Sequence, residues 1–393
     1  MDKRLLIFAL GTFAIGTDNY VVAGILTQVA RSFDVGIAAA GQFVTVYSLA
    51  YGVFTPVMAA LTARWPRRRV LLAGMLVFVI GNILTATLPS FELALASRAV
   101  AGLGGAMFTP TAGATAAAMV PPEWRGRALA IVIAGLSGAT ALGAPIGTLI
   151  GAITDWHITM WFVAGLGTLA ALGVAVVLPD IRIDAPSGLR ERLAPLGDAR
   201  VAATLAATLL VMFGVFLVYT YVSLVFDRAT GGDGTRLAIL ISVWGLAATA
   251  GNLGAGSLTD RFGNRLVLNV AFAVLALDFA LIPWSSQSFA GAIIALAVWG
   301  AFGWGSVVAQ QHRLVGIAPA LAPILLALNA SAIYLAISAS GAAGAVAMRL
   351  VDPHDLPVLS TIPIVGSLLA AELAYRLIHN GGARIAQPVP TPP

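Results

Sequence analysis

The chain has 393 residues, of which 59% are hydrophobic and only 10% charged, with a formal net charge of +5 and no cysteine. Soluble globular domains carry roughly 25% charged residues, whereas the mean hydropathy here is +0.93; the chain therefore belongs in a membrane, and disulfides and thiol-held metals are excluded. Its basic residues gather in particular loops, which reads as membrane orientation and not as a nucleic-acid surface.

A bilayer core takes about 20 apolar residues per helix, and the apolar runs predict twelve spans. Span 1 runs from about Leu5 to Val29; it carries Asp18-Asn19 and many spans follow, so it is an uncleaved helix and not a signal peptide. Span 2 runs from about Ala38 to Ala63, span 3 from Val70 to Leu88, span 4 from Phe91 to Val120, span 5 from Ala128 to Ile153 and span 6 from Thr159 to Leu178. Residues 179–200 are the one long polar segment and the natural linker between two halves, 1–178 and 201–379. Spans 7 to 12 follow at about Val201 to Phe226, Arg236 to Leu258, Leu266 to Pro283, Phe289 to Ile317, Ala322 to Met348 and Leu356 to Ile378. Residues 380–393, rich in Gly and Pro, are expected to be a disordered tail.

Lys3, Arg4, the arginines of 64–69, Arg125, Arg127, the linker, Arg261, Arg265, Arg313, Arg376 and Arg384 all fall on one side of this layout. Both termini are thus expected to be cytoplasmic, consistent with an even number of spans. The halves also resemble each other at a shift of 197 or 198 positions: Leu61-Thr62-Ala63-Arg64 lies against Leu258-Thr259-Asp260-Arg261, Gly102 and Gly105 against Gly300 and Gly303, and Gly143 against Gly341. A duplicated six-span unit is the plan of many transporters, which place substrate between the repeats. The expected fold is an all-α membrane protein of twelve transmembrane helices in two pseudo-symmetric six-helix halves.

Spans 4 and 5 concentrate the signals. Arg98 is followed by Gly102, Gly104 and Gly105, and Gly143, Pro145, Gly147 and Gly151 lie in the next span. Small residues let helices approach closely in lipid, and a membrane arginine is costly unless it faces protein or water.

With these motifs the chain resembles the major facilitator superfamily, and within it the twelve-span drug:proton antiporters of the chloramphenicol and sugar efflux branch. Gly256-Ser257-Leu258-Thr259-Asp260-Arg261-Phe262-Gly263-Asn264-Arg265 resembles the loop signature between the second and third spans of a half. Arg98 to Gly102, Gly143-Ala144-Pro145-Ile146-Gly147 and Gly16-Thr17-Asp18-Asn19-Tyr20 are similar to the fourth-, fifth- and first-span patterns. The departures are Ala63 and Pro66 where the first-half loop has aspartate and glycine, Asn19 where the first span has an acid, Ala101 where the fourth span commonly has glutamine, and Ala144 where the fifth usually has glycine. The resemblance implies a multi-pass protein of the bacterial cytoplasmic (inner) membrane, working as a monomer on a small molecule, with the proton as coupling ion and no cofactor or metal.

Asp18 lies midway along span 1, where burial favours its protonated form and a nearby guanidinium opposes this. It is either the proton carrier or one member of a static pair. Arg98 either relays charge to Asp18 or bonds backbone carbonyls, and Asp278 and Glu372 are expected to pair locally or snorkel. Gly143, Pro145 and Gly147 are expected to kink or closely pack span 5 as the halves rock. Asp260, Arg261 and Arg265 form either a conformational latch or bare positive-inside topology. Candidate substrate contacts on the expected cavity spans are Asn19, Tyr20, Tyr47, Tyr51, Met107, Phe108, Tyr219, Tyr221, Gln310, Gln311, Asn329 and Tyr334.

These features together predict proton-coupled efflux of a small amphipathic or polyhydroxylated compound, drug or sugar-like, with a uniporter or importer as the alternative. A membrane enzyme has little support: there is no His-Glu-x-x-His pattern, no phosphate-binding loop, and Lys3 is the only lysine.

Overall fold

A computed structural model of the protein describes residues 3–182 and 188–385, with side chains to 379. Its described residues form helices and no strand, as lipid demands of a chain that must satisfy its backbone internally. The first half holds α1 (Leu5–Ser32), α2 (Gln42–Leu61), α3 (Arg67–Thr87), α4 (Phe91–Ala118), α5 (Pro122–Ile153) and α6 (Trp156–Val177). In the second half, α7 (Ala199–Tyr219) is followed by the 52-residue run Gly234–Ser285. That run breaks at Gly263 into α8 (234–262) and α9 (264–285); α10 (Phe289–Ile317), α11 (Ala322–Ala347) and α12 (Leu356–Ile385) complete the set. Ser90, Asp155, Asp198, Asp233 and Ser288 cap α4, α6, α7, α8 and α10, each accepting a backbone N–H of the first turn.

The turn between α8 and α9 rests on one residue. Gly263 has φ 77° and ψ 153°, open only to a residue without a Cβ. Its counterpart in the first half, Pro66, sits instead at φ −55° and ψ 134°, an extended N-cap for α3. In α5 the irregularity is a π-helical turn, Ala139–Gly143, just ahead of Pro145. Proline has no N–H to offer Ala141 and its ring crowds that carbonyl, so a widened turn accommodates both.

Besides shifts of a few residues at other helix ends, the structure departs from the sequence reading in three places. Helix α7 stops at Tyr219, and Tyr221 lies in the break before the short turns Val222–Val225 and Asp227–Thr230. There its hydroxyl donates to the Gly341 carbonyl at 2.7 Å. Residues 380–385, expected in a disordered tail, continue α12; 386–393 lie outside the described residues. The linker contains a helical turn, Leu189–Leu193, and a 3-10 turn, Ala194–Gly197, while 183–187 lie outside the described residues.

The helices pair alike in both halves: α1 with α5 and α6 as α7 with α11 and α12, and α3 with α4 and α6 as α9 with α10 and α12. Single bonds repeat too. Thr12 donates to the Val132 carbonyl at 2.8 Å, and Thr208 to the Asn329 side chain at 3.1 Å.

Between halves, α2 packs on α11 and α5 on α8. The α5–α8 seam runs from Ala152 against Gly234, through Thr140 against Gly245, to a 3.4 Å bond from Thr249 to the Ser137 carbonyl. Beyond it, toward the side bearing both chain ends, Arg125–Arg127 of α5 and 260–262 of α8 are exposed. The molecule is therefore closed on the side opposite its termini, where Tyr221 also fills the space beside Gly41.

Candidate functional site

Asp18 of α1 and Arg98 of α4 form an ion pair at 2.8 Å, 0% and 1% exposed respectively. Asn82 of α3 completes it: its amide nitrogen donates to Asp18 Oδ2 at 3.3 Å and its amide oxygen accepts from Arg98 at 3.3 Å. The Arg98 guanidinium also lies 4.8 Å from the ring centroid of Tyr47 on α2, a cation–π contact in a dry setting. Four helices thus converge on one charge pair. Replacing either partner of such a pair, or protonating the carboxylate where it stands, leaves the other charge buried and uncompensated. Arg98 retains a spare donor, since its Nε is buried without a hydrogen-bond partner among the described residues.

One residue further along α1, the amide of Asn19 is buried and has no hydrogen bond of normal geometry. Tyr20 then crosses to the second half: its ring lies 6.3 Å from Phe216, 6.0 Å from Tyr219, 5.8 Å from Trp244 and 5.9 Å from Trp304. The Tyr219 hydroxyl donates to the Tyr20 carbonyl at 3.2 Å. A second aromatic bridge joins Tyr51 of α2 to Tyr334 of α11, with Tyr47 6.3 Å from Tyr51.

The remaining candidates lie elsewhere. Met107 packs on Gly74 of α3, and the Phe108 ring on Gly11 of α1, both within the first half. Gln310 and Asn329 are buried beside α7, where Gln310 donates to the Thr204 carbonyl at 3.5 Å and Asn329 accepts from Thr208. Gln311 is partly exposed on α10. In the loop signature, Arg265 holds Glu372 of α12 through two bonds of 2.9 and 2.8 Å, and Asp260 lies 3.7 Å from His312. These ties stay inside the second half. Glu372 thus pairs locally; Asp278 has no ion pair among the described residues, and its Oδ2 is buried without a hydrogen-bond partner.

Sequence reasoning missed Asn82, Phe216, Trp244 and Trp304. Asn82 was findable as the one amide inside the apolar run of α3, by the logic that singled out Asp18. The aromatics carry no such signal, since tryptophan is equally at home at the membrane surface.

Two matched bundles of membrane helices, meeting along an aromatic seam beside a buried acid–guanidinium pair, define a multi-pass membrane transporter. A model of the Major Facilitator Superfamily matches residues 8–348, and the chain belongs to that superfamily. It is 30% identical over 379 residues to the MFS-type transporter YbcL of Bacillus subtilis, covering 96% of each chain. With the inner membrane transport protein YdhP of Escherichia coli K12 it shares 28% identity, over 96% of this chain and 95% of that one. A chloramphenicol resistance protein of Streptomyces lividans is 33% identical over 265 residues, 66% of this chain and 68% of that one. The fold matches a bacterial homologue of the human lysosomal transporter Spinster, solved inward-facing and unoccupied, with a TM-score of 0.66, 16% identity and full coverage of both chains.

Proposed function

We propose that the protein exports small, uncharged or weakly polar compounds, drug or sugar-like, in exchange for protons, by alternating access across a bacterial inner membrane. The observation that carries this reading is the Asp18–Arg98–Asn82 cluster, a buried acid held by an internal counter-ion, which takes a proton only when the pair parts and the guanidinium gains water or another acceptor. With both termini in the cytoplasm and the chain acting as a monomer, the closed side is external. Asp18 then takes a proton from outside when the halves open there and releases it inward as Arg98 reclaims the carboxylate. Tyr20, Tyr51, Tyr334 and the neighbouring tryptophans offer apolar faces and hydroxyls, with no acid among them to select a cation. Export of a drug is also what the name of the Streptomyces lividans relative favours.

The test is proton release from detergent-purified protein on adding chloramphenicol-like compounds and sugars, with Asp18→Asn in parallel. Release that vanishes in the variant supports antiport through Asp18. Ligand binding without release in either protein overturns coupling and leaves a uniporter.

A further inference from the structure

Away from the aromatic seam, α8, α9 and α10 enclose a groove of about 470 Å³ near the α8–α9 turn, lined by apolar residues throughout. Its origin lies in the packing. At the far end α9 is pinned to α10 by Phe279 against Trp299, ring centroids 5.0 Å apart. Near the turn Arg265 ties α9 to Glu372 of α12, while Gly251 seats α8 on the Ala301 carbonyl of α10. The wedge left between them is not filled: a Cβ on Gly254 would meet nothing within 4 Å. Leu258, Phe262 and Val270 along its rim are 48%, 50% and 46% exposed, so the groove opens on the surface that lipid covers.

Charge at the mouth identifies the occupant. Arg265 and Asp260 are engaged by Glu372 and His312, but Arg261 is exposed and in no ion pair among the described residues. Its guanidinium stands 5.2 Å from the ring centroid of Phe262, directly over the apolar lining. An apolar slot ending in an uncommitted guanidinium complements an acyl chain with an anionic phosphate head; a zwitterionic head carries the same phosphate but sets its own cation beside Arg261, which weakens the attraction. We propose that this groove binds one anionic glycerophospholipid, an acyl chain along Gly254 and Leu258 and its phosphate on Arg261. Arginine suits the phosphate because its planar fork can donate twice. The site lies on the terminus-bearing side, where basic residues and anionic lipids meet in a positive-inside protein.

The full chain, purified and stripped of lipid, is titrated with dioleoyl phosphatidylglycerol and with dioleoyl phosphatidylcholine, and bound lipid is counted by native mass spectrometry. One phosphatidylglycerol is expected to bind in preference to phosphatidylcholine. Arg261→Gln should weaken phosphatidylglycerol about fivefold, the contribution of one basic side chain at an anionic surface, and Arg261→Lys, which keeps the charge without the two-pronged donor, should recover only part of it. Gly254→Leu, which fills the empty wedge, should weaken both lipids without lowering the melting temperature. Equal binding of the two lipids by the unmodified protein, or unchanged phosphatidylglycerol binding in both Arg261→Gln and Gly254→Leu, overturns the proposal.

Discussion

Tyr51 and Tyr334, one from each half, stack with ring centroids 3.6 Å apart and planes 16° from parallel. Aromatic pairs in offset or edge geometry contribute about 0.5–1.5 kcal/mol beyond their buried area, and this one joins α2 to α11 across the contact between the halves. Tyr334→Leu is therefore expected to move the population toward the alternative opening by about fivefold, the equivalent of about 1 kcal/mol. The chain has no cysteine, so spin labels at Gly36→Cys and Thr235→Cys read this directly. A distance distribution identical with and without Tyr334→Leu would remove the stack from the gate.

Gly245 is the tightest point of the α5–α8 seam. A Cβ there would stand 1.9 Å from the Thr140 carbonyl oxygen, and backbone cannot yield by that much. Gly245→Val should abolish the closed seam and stop turnover while leaving each half folded. Gly254→Ala, which meets nothing, should transport normally. Normal transport by Gly245→Val would mean that the seam is not closed during the cycle.

For the buried pair, single and double replacements should diverge. Asp18→Leu strands Arg98 and should lower stability by about 3–5 kcal/mol, as breaking a buried ion pair does. Asp18→Leu combined with Arg98→Met removes both charges and should recover most of the loss. Thermal unfolding in detergent, at one scan rate, checks the order; a double variant weaker than the single would show that the two residues act independently.

Asp233 supplies a pH signature outside the membrane-spanning segments. Its carboxylate accepts from the backbone N–H groups of Thr235 at 2.7 Å and Arg236 at 3.4 Å, which hold its pKa below the usual carboxylate value. A depressed folded-state pKa contributes stability that is full above the unfolded value and fades as pH falls through the folded one. The melting-temperature gap between the natural chain and Asp233→Ser, which keeps a capping oxygen without the charge, should be present at pH 7 and shrink on acidification below about pH 4. A gap that widens there would contradict the cap.

The helices were legible because length and apolarity decide them in lipid, and the α8–α9 turn because only glycine fits its backbone. What the sequence left out is rotation about each helix axis. Gln310 and Asn329 were placed on the right helices, yet the structure turns them toward α7, because helix packing and not local pattern chooses the face. Tyr221 was counted in a span that ends two residues earlier; an apolar run continues there, and the break lies in the backbone of Tyr221, at φ −113° and ψ 24°. Asp18 and Arg98 stand out as misplaced charges and Asn82 as the one amide of its apolar run, but that the three meet emerges only when three helices are assembled.

On α1, Asp18 faces Arg98 and Asn82, while Tyr20, two positions on, takes the Tyr219 hydroxyl on its carbonyl. Two residues of helix advance about 3 Å along the axis. Whatever loosens the carboxylate from its guanidinium therefore does not have to be relayed through a chain of side chains to reach the other bundle. Helix α1 carries the buried ion pair and the bond that crosses to the second bundle on one short rigid stretch, so a roll of that one rod displaces both.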